Sequence, residues 1–281
     1  MAPHSNVNLG KLVNENDSFS LPIDQPDVSA YFSPPIPAER HAHLFPDAVV
    51  PRRANFNPDF PSGANWIYQQ PKQSPENVAF NDHYYRSRLR ALQAVDELVD
   101  SVVEKLDAYG ILDDTYIFYT TDNGFHIGYH RLQPGKECGF EEDINIPLIV
   151  RGPGVPKGQV SEIVTQHADL TPTIVQLAQG PSRADFDGIP IPLTEDGLTD
   201  AAKTRHDHIG VEFWGIAAAE GKFGFFGRNQ SLVLNNTYKA IRIVSEEYNL
   251  YYSVWCTNEH ELYDLNVCFC TVLAKPEEQK R

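Results

Sequence analysis

Proline sets the first limit on this chain. Between Pro22 and Pro75 it carries eleven prolines, mixed with Asn and Asp. A proline removes a backbone donor and clashes inside a helix, so residues 1–79 cannot hold long helices and are expected to be irregular. A structureless stretch of that length inside a compact domain is functional or belongs to a larger fold. Periodicity begins only after it. Leu89, Leu92, Val95, Leu98, Val99, Val102, Val103 and Leu106 recur at helical spacing. They predict an amphipathic helix over about 81–109 with one buried stripe, stopped by Gly110 at its C′ position.

Two short β-branched and aromatic runs follow, at 115–121 and 144–150. They read as strands buried on both faces, as in a parallel sheet covered by helices. Residues 169–177 predict a capped helix with Thr171 as N-cap and Pro172 at the first helical position. From 230 to 256 apolar and polar residues alternate, broken by Ser245, Glu246 and Glu247, which predicts a hairpin or meander. The chain thus reads as an incomplete α/β domain over 1–204 followed by an α+β subdomain over 205–281 with a small antiparallel sheet.

Charge excludes several functions. The net charge is −15 and the isoelectric point about 5.0, so the overall field repels nucleic-acid backbone. Anionic substrates are repelled too, unless a local cation or a metal overrides the field. No run approaches the ~20 apolar residues of a membrane-spanning helix. Four cysteines in 281 residues make no disulfide scaffold, although a bridge from Cys256 to Cys268 or Cys270 stays open. Sequons at Asn16, Asn229 and Asn235 suit glycosylation in a secreted chain. The first residues, Met1-Ala2-Pro3-His4-Ser5, have neither the basic nor the apolar region of a signal peptide. Either the protein is intracellular or its true beginning is missing.

The stretch 120–136 carries the chemistry. Asp122-Asn123-Gly124 closes a predicted strand, and ligands gather at the carboxyl ends of strands in open α/β sheets. A carboxylate and an amide oxygen suit a hard cation such as Ca²⁺ or Mg²⁺. Residues 124–136 contain no acid but include His126, His130, Arg131 and Lys136, a cationic island in an acidic chain. The competing reading is plainer: Asp-Asn-Gly is turn chemistry, the lysine a solvated surface group and the histidines loop imidazoles. The residues alone leave both open.

This stretch, with Gly135-Lys136, Ile146-Pro147-Leu148-Ile149 and Arg151-Gly152-Pro153-Gly154, resembles the C-terminal portion of a type I sulfatase, of the fungal arylsulfatase and N-acetylglucosamine-6-sulfatase-like branch. Pro3-His4, Asp169-Leu170-Thr171-Pro172-Thr173 and Glu261-Leu262-Tyr263-Asp264-Leu265 are similar to further family segments. The resemblance implies an alkaline-phosphatase-like α/β sandwich, truncated at the N-terminus, that hydrolyses sulfate monoesters. It implies one Ca²⁺ ion with Asp122 and Asn123 as two of its ligands, an incomplete set in this chain. It implies Lys136 and His4 as sulfate-binding and catalytic residues, with His126 beside the substrate. Sulfated small molecules or sugars would be the partners, and the full-length relatives secreted or lysosomal.

The family's Cys/Ser-x-Pro-x-Arg motif, source of its formylglycine nucleophile, does not occur here, nor do its paired N-terminal aspartates. The resemblance therefore implies a chain inactive by itself and of marginal solubility, because lost neighbouring strands would leave open edges. A non-catalytic protein binding sulfated glycans or a partner is a second reading. A phosphodiesterase of the same superfamily is a third, opposed by Asn123 where a zinc-binding histidine would be expected.

Overall fold

A computed structural model describes residues 6–9, 19–22, 29–205, 207–218, 220–223 and 232–266. The proline-rich start is less irregular than expected. Strands β1 (Asn6–Leu9), β2 (Phe19–Pro22) and β3 (Ser29–Ser33) form an antiparallel sheet of order β1-β3-β2. They are only four or five residues long, and Pro22 sits at the last position of its strand, where a missing donor costs least. The short helix α1 (Asn65–Tyr68) buries Trp66 and Ile67.

Helix α2 runs from Pro75 to Ala108, beginning earlier than its apolar periodicity suggests. Its start is a capping signal: the Ser74 hydroxyl accepts the Asn77 amide at 3.2 Å, and Pro75 takes the first helical position. Gly110, at φ +68°, follows its end as expected. The buried face is not the one the sequence marks. Asn77, Phe80, Asn81, Tyr84 and Ser87 are buried, whereas Leu98, Val99 and Val102 are exposed. Leu89, Leu92, Val95, Val103 and Leu106 are half-buried, so the apolar stripe is only partly covered.

The two predicted strands exist as β4 (Ile117–Thr120) and β5 (Leu148–Arg151), but they pair antiparallel, from Ile117↔Arg151 to Thr120↔Leu148. They form a two-stranded ribbon, half-buried rather than buried on both faces, because among the described residues neither strand has a second hydrogen-bonded neighbour. Between them lies α3 (Glu141–Ile144).

Helix α4 (Leu170–Leu177) has Asp169, not Thr171, at its N-cap, after a 3₁₀ turn over His167–Asp169. Asp169 is fully buried: its carboxylate accepts the Gln166 and Ile189 amides at 3.0 and 2.9 Å and pairs with Arg205 at 2.5 Å. Thr171 loses the cap because this carboxylate already satisfies the turn. Helix α5 (Glu195–Thr204) is capped by Thr194.

The C-terminal hairpin is present, enlarged by one strand on each edge. β6 (His208–Phe213), β9 (Tyr238–Val244), β10 (Asn249–Trp255) and β11 (His260–Asp264) form an antiparallel sheet of order β11-β10-β9-β6, and β7 (Ala217–Ala218) pairs with β8 (Leu232–Val233). Its inner face (Tyr238, Tyr251, Trp255, Tyr263) packs with Ala64, Trp66, Ile67, Leu132, Cys138 and Phe140 into one core. A second core joins Val50, Phe80, Tyr84, Ile127 and Tyr129. The segment 127–140 contributes to both, so the stretch singled out by its chemistry is also the hinge of the packing. Among the described residues no helix is long and apolar enough to cross a membrane.

Candidate functional site

Strand β4 ends in a loop that fixes its own polar groups. The Thr121 hydroxyl bridges Asp122 Oδ1 at 3.2 Å and the Asn123 carbonyl at 3.1 Å, and the Asn123 amide donates to Asp122 Oδ1 at 3.0 Å. The Asn123 side-chain Nδ2 donates to the Gly124 carbonyl at 2.6 Å, which orients the amide. Gly124 is clamped: its amide donates to the Asp143 carbonyl at 2.8 Å, and an added Cβ would lie 2.0 Å from the Glu142 carbonyl oxygen. His167 reaches the Thr121 carbonyl at 2.9 Å from the start of α4.

Asp122 itself is exposed. Partial burial pushes its carboxyl upward, but the Thr121 hydroxyl, two backbone amides and the charge of Lys136 outweigh that and hold it below the ordinary aspartate value. It therefore stays ionised. An exposed ionised carboxylate beside an amide side chain is the kind of oxygen donor pair that suits a hard metal cation.

Lys136 sits in a turn locked from both sides. His126 and Gly135 form an antiparallel bridge, with N···O distances of 2.9 and 3.1 Å. The Lys136 amide donates to Glu137 Oε2 at 2.9 Å, and Glu137 Oε1 accepts the Ala218 amide at 3.3 Å. The lysine is half-buried, and its charge acts on Asp122. The structure thus brings Asp122, Asn123 and Lys136 into one neighbourhood.

The rest of the cationic island does not survive folding. His126 is 2% exposed, its Nδ1 2.8 Å from Asp143 Oδ2. Desolvation opposes its charge, but Asp143 together with Glu137 and Glu142 raises it above the usual histidine value. His130 stacks on Phe140, with ring centroids 4.0 Å apart, and meets Ser62 Oγ at 2.8 Å. Burial, with some repulsion from His126, lowers it to about 3, so it is neutral. Arg131 gives its guanidinium to the carbonyls of Pro58, Gln70 and Asp59. Of the four cations, only Lys136 is not buried.

His126, Cys138 and Asp143 bring ligand-type atoms within 4.8 Å of one another. We read them as a hydrogen-bonded core rather than a metal centre. Asp143 already accepts from His126 and from the Cys138 amide at 2.9 Å, and burial among acids keeps the Cys138 thiol protonated.

His4, Asn16, Asn229, Cys268 and Cys270 lie outside the described residues. Asn235 is exposed in the turn before β9, as a glycan acceptor requires, and Cys256 forms no disulfide among the described residues. Sequence reasoning missed Glu137, Asp143 and Glu220. Glu220 is buried, accepts the Tyr84 hydroxyl at 3.1 Å and, chiefly through burial and the charge of Glu137, is raised to about 7. Its sequence neighbourhood gives no sign of this, because the contacts come from residues far away in the chain.

Comparison with known proteins follows from this geometry. The family profile described as Sulfatase matches residues 32–180. The sulfatase ppz1 of Metarhizium majus is 42% identical over 92% of this chain and 55% of its own length. An arylsulfatase of Volvox carteri is 38% identical over 85% of this chain and 39% of its own. The N-acetylglucosamine-6-sulfatase of Capra hircus is 34% identical over 93% of this chain and 49% of its own. The chain thus spans about half the length of these relatives. A phosphonate monoester hydrolase from Silicibacter pomeroyi superposes with a TM-score of 0.61 at 19% identity, covering 88% of this chain and 52% of that one. The structure of BT4656 with its substrate D-glucosamine-2-N,6-O-disulfate superposes with a TM-score of 0.53 at 21% identity, covering 69% and 36%. These likenesses show the alkaline-phosphatase-like sulfatase fold.

Proposed function

The chain belongs to the sulfatase family, and on that premise we propose that it carries the metal- and sulfate-binding part of a sulfuric ester hydrolase. The observation that supports this reading best is the shared neighbourhood of Asp122, Asn123 and Lys136 at the carboxyl end of β4, with the Lys136 charge reaching the Asp122 carboxylate. Asp122 and Asn123 would hold one Ca²⁺ ion. The chemistry such an ion supplies is polarisation of the sulfuryl oxygens. Lys136 neutralises negative charge on those oxygens, and its locked turn means that little reorganisation is needed when the anion arrives. His4 keeps the role suggested by resemblance, proton donation to the leaving oxygen.

The chain contains no Cys/Ser-x-Pro-x-Arg sequence, so its own residues supply no formylglycine nucleophile. We expect anion binding without turnover of an aryl sulfate. The ester class this reading implies is a sulfated small molecule or sugar. Two relatives bear the name extracellular sulfatase, and an exposed Asn235 is consistent with a secreted, glycosylated protein.

Calorimetry with inorganic sulfate, with and without Ca²⁺, tests this. Sulfate should bind, Lys136→Ala should weaken it at least roughly tenfold, the size of a lost charge-assisted contact, and Asp122→Ala should remove the Ca²⁺ dependence. Sulfate binding indifferent to Lys136→Ala would refute the site. Tight binding of a sulfated saccharide without turnover, even when the missing family segments are supplied, would favour a non-catalytic glycan-binding protein.

A further inference from the structure

Two of the three tryptophans, Trp66 and Trp255, lie in the main core, whereas Trp214 is 69% exposed just beyond the end of β6. Its ring is nevertheless held. The indole Nε1 donates to Glu212 Oε2 at 2.9 Å, and the Lys239 ammonium lies 5.3 Å from the ring centroid. Glu212 faces Lys239 across the β6–β9 pairing, and its other oxygen, Oε1, meets that ammonium at 3.2 Å. Both carboxylate oxygens are thus engaged and the trio carries no net charge. The indole is fixed in orientation while its apolar surface stays open to water. A pre-oriented aromatic surface binds at a lower entropic cost than a freely rotating one. Exposed apolar surface continues along the chain from there. One step beyond the Ala217↔Val233 pair, Ile216 and Leu234 are both exposed. The Ala218 amide then donates to Glu137 Oε1 at 3.3 Å, beside Lys136. Four residues of extended chain span at most about 14 Å, so Trp214 stands within that distance of the residue that borders the lysine's turn.

We propose that Trp214 is a sugar subsite: its indole stacks on a pyranose ring of an oligosaccharide whose sulfate is held at Lys136. This rests on the sulfate-binding reading of Lys136 and names the substrate class as a sulfated oligosaccharide rather than a small aryl sulfate. The chemistry of the patch selects a sugar. The C–H face of a pyranose ring is apolar and faintly positive, which suits the negative face of an indole. Its hydroxyls both donate and accept, so the Glu212 carboxylate and the Lys239 ammonium at the edge of the ring can each meet one. A nucleic-acid strand would bring a phosphate with every unit into the field of a −15 chain, whereas a saccharide needs its sulfate only at Lys136. The neutral trio around Trp214 repels neither the sugar nor the sulfate attached to it.

The test uses the full chain, with inorganic sulfate, glucose 6-sulfate and a maltotetraose sulfated only on its terminal unit as probes. The tetrasaccharide should bind roughly tenfold more tightly than glucose 6-sulfate, the size of one good aromatic contact. It should also change the emission of Trp214, the exposed member of the three tryptophans. Trp214→Ala should remove both the gain and the emission change, and leave the affinities for inorganic sulfate and glucose 6-sulfate at their wild-type values. Trp214→Phe, which keeps a ring, should retain part of the gain. Lys136→Ala should weaken all three probes. Tetrasaccharide affinity indifferent to Trp214→Ala, with sulfate binding still lost in Lys136→Ala, overturns this proposal and leaves the anion site standing. Absence of sulfate binding overturns both. A Trp214 emission that shifts with protein concentration and not with the tetrasaccharide marks the surface as an interface between copies of this chain and overturns the sugar subsite.

Discussion

Glu261 gives the sharpest test of how the C-terminal sheet is held to the site-bearing half. Its side chain is fully buried on β11. Oε1 accepts the Ala64 amide at 2.8 Å and the Tyr263 hydroxyl at 3.0 Å. Oε2 accepts the Ser253 hydroxyl at 2.6 Å and the Trp255 indole at 2.8 Å. Glu261→Gln keeps the shape but turns one acceptor end into a donor. Either orientation of the amide sets its NH₂ against a group that can only donate, the Ala64 N–H or the Trp255 indole N–H. The hydroxyls can rotate to accept; those two cannot. One buried donor left unmet costs about 1–3 kcal/mol, and the remaining bonds lose their charge assistance. The expected loss is therefore about 2–4 kcal/mol, a large share of an ordinary domain's stability. Urea unfolding followed by tryptophan fluorescence measures it, because Trp66 and Trp255 both lie in that core. Trp255→Phe combined with Glu261→Gln lets the amide turn toward Ser253 without conflict, so the double variant should lose less than the sum of the singles. A Glu261→Gln variant within ~0.5 kcal/mol of wild type, the scatter of ordinary surface substitutions, would refute the donor-by-donor reasoning.

Three other outcomes follow from the same structure. Gly124→Ala must push the loop off the Glu142 carbonyl, where the added carbon would lie at 2.0 Å; a loss of about 2 kcal/mol or more and abolished Ca²⁺-dependent sulfate binding are expected by denaturation and calorimetry. His130, lowered to about 3, should show ring resonances that do not titrate between pH 8 and 5. Because its folded value lies below its unfolded one, its contribution to stability is complete above about 6.5 and falls by roughly 2 kcal/mol by pH 5; this part of the pH dependence should vanish in His130→Gln. Leu98 is 63% exposed on α2, so Leu98→Glu should leave the unfolding midpoint of this chain nearly unchanged and reduce its light scattering at high concentration.

How much was legible in the sequence depends on how far each residue's partners lie along the chain. The Asp122 loop was readable because its partners, Thr121 to Gly124, are immediate neighbours. The C-terminal strands were readable because their period-two pattern matches the face they bury. The α2 stripe misled because periodicity marks a face able to be covered, not one that is fully covered. The cationic island misled for a related reason. Counting charges over 124–136 assigns four cations to the site, but folding brings Asp143 to His126, Phe140 to His130 and three distant carbonyls to Arg131. Glu220 was illegible because Tyr84 and Pro134, which place it, are far away in sequence. In an acidic chain the cation that can meet an anionic ligand is the one that packing does not enclose. That condition selects Lys136 from the run.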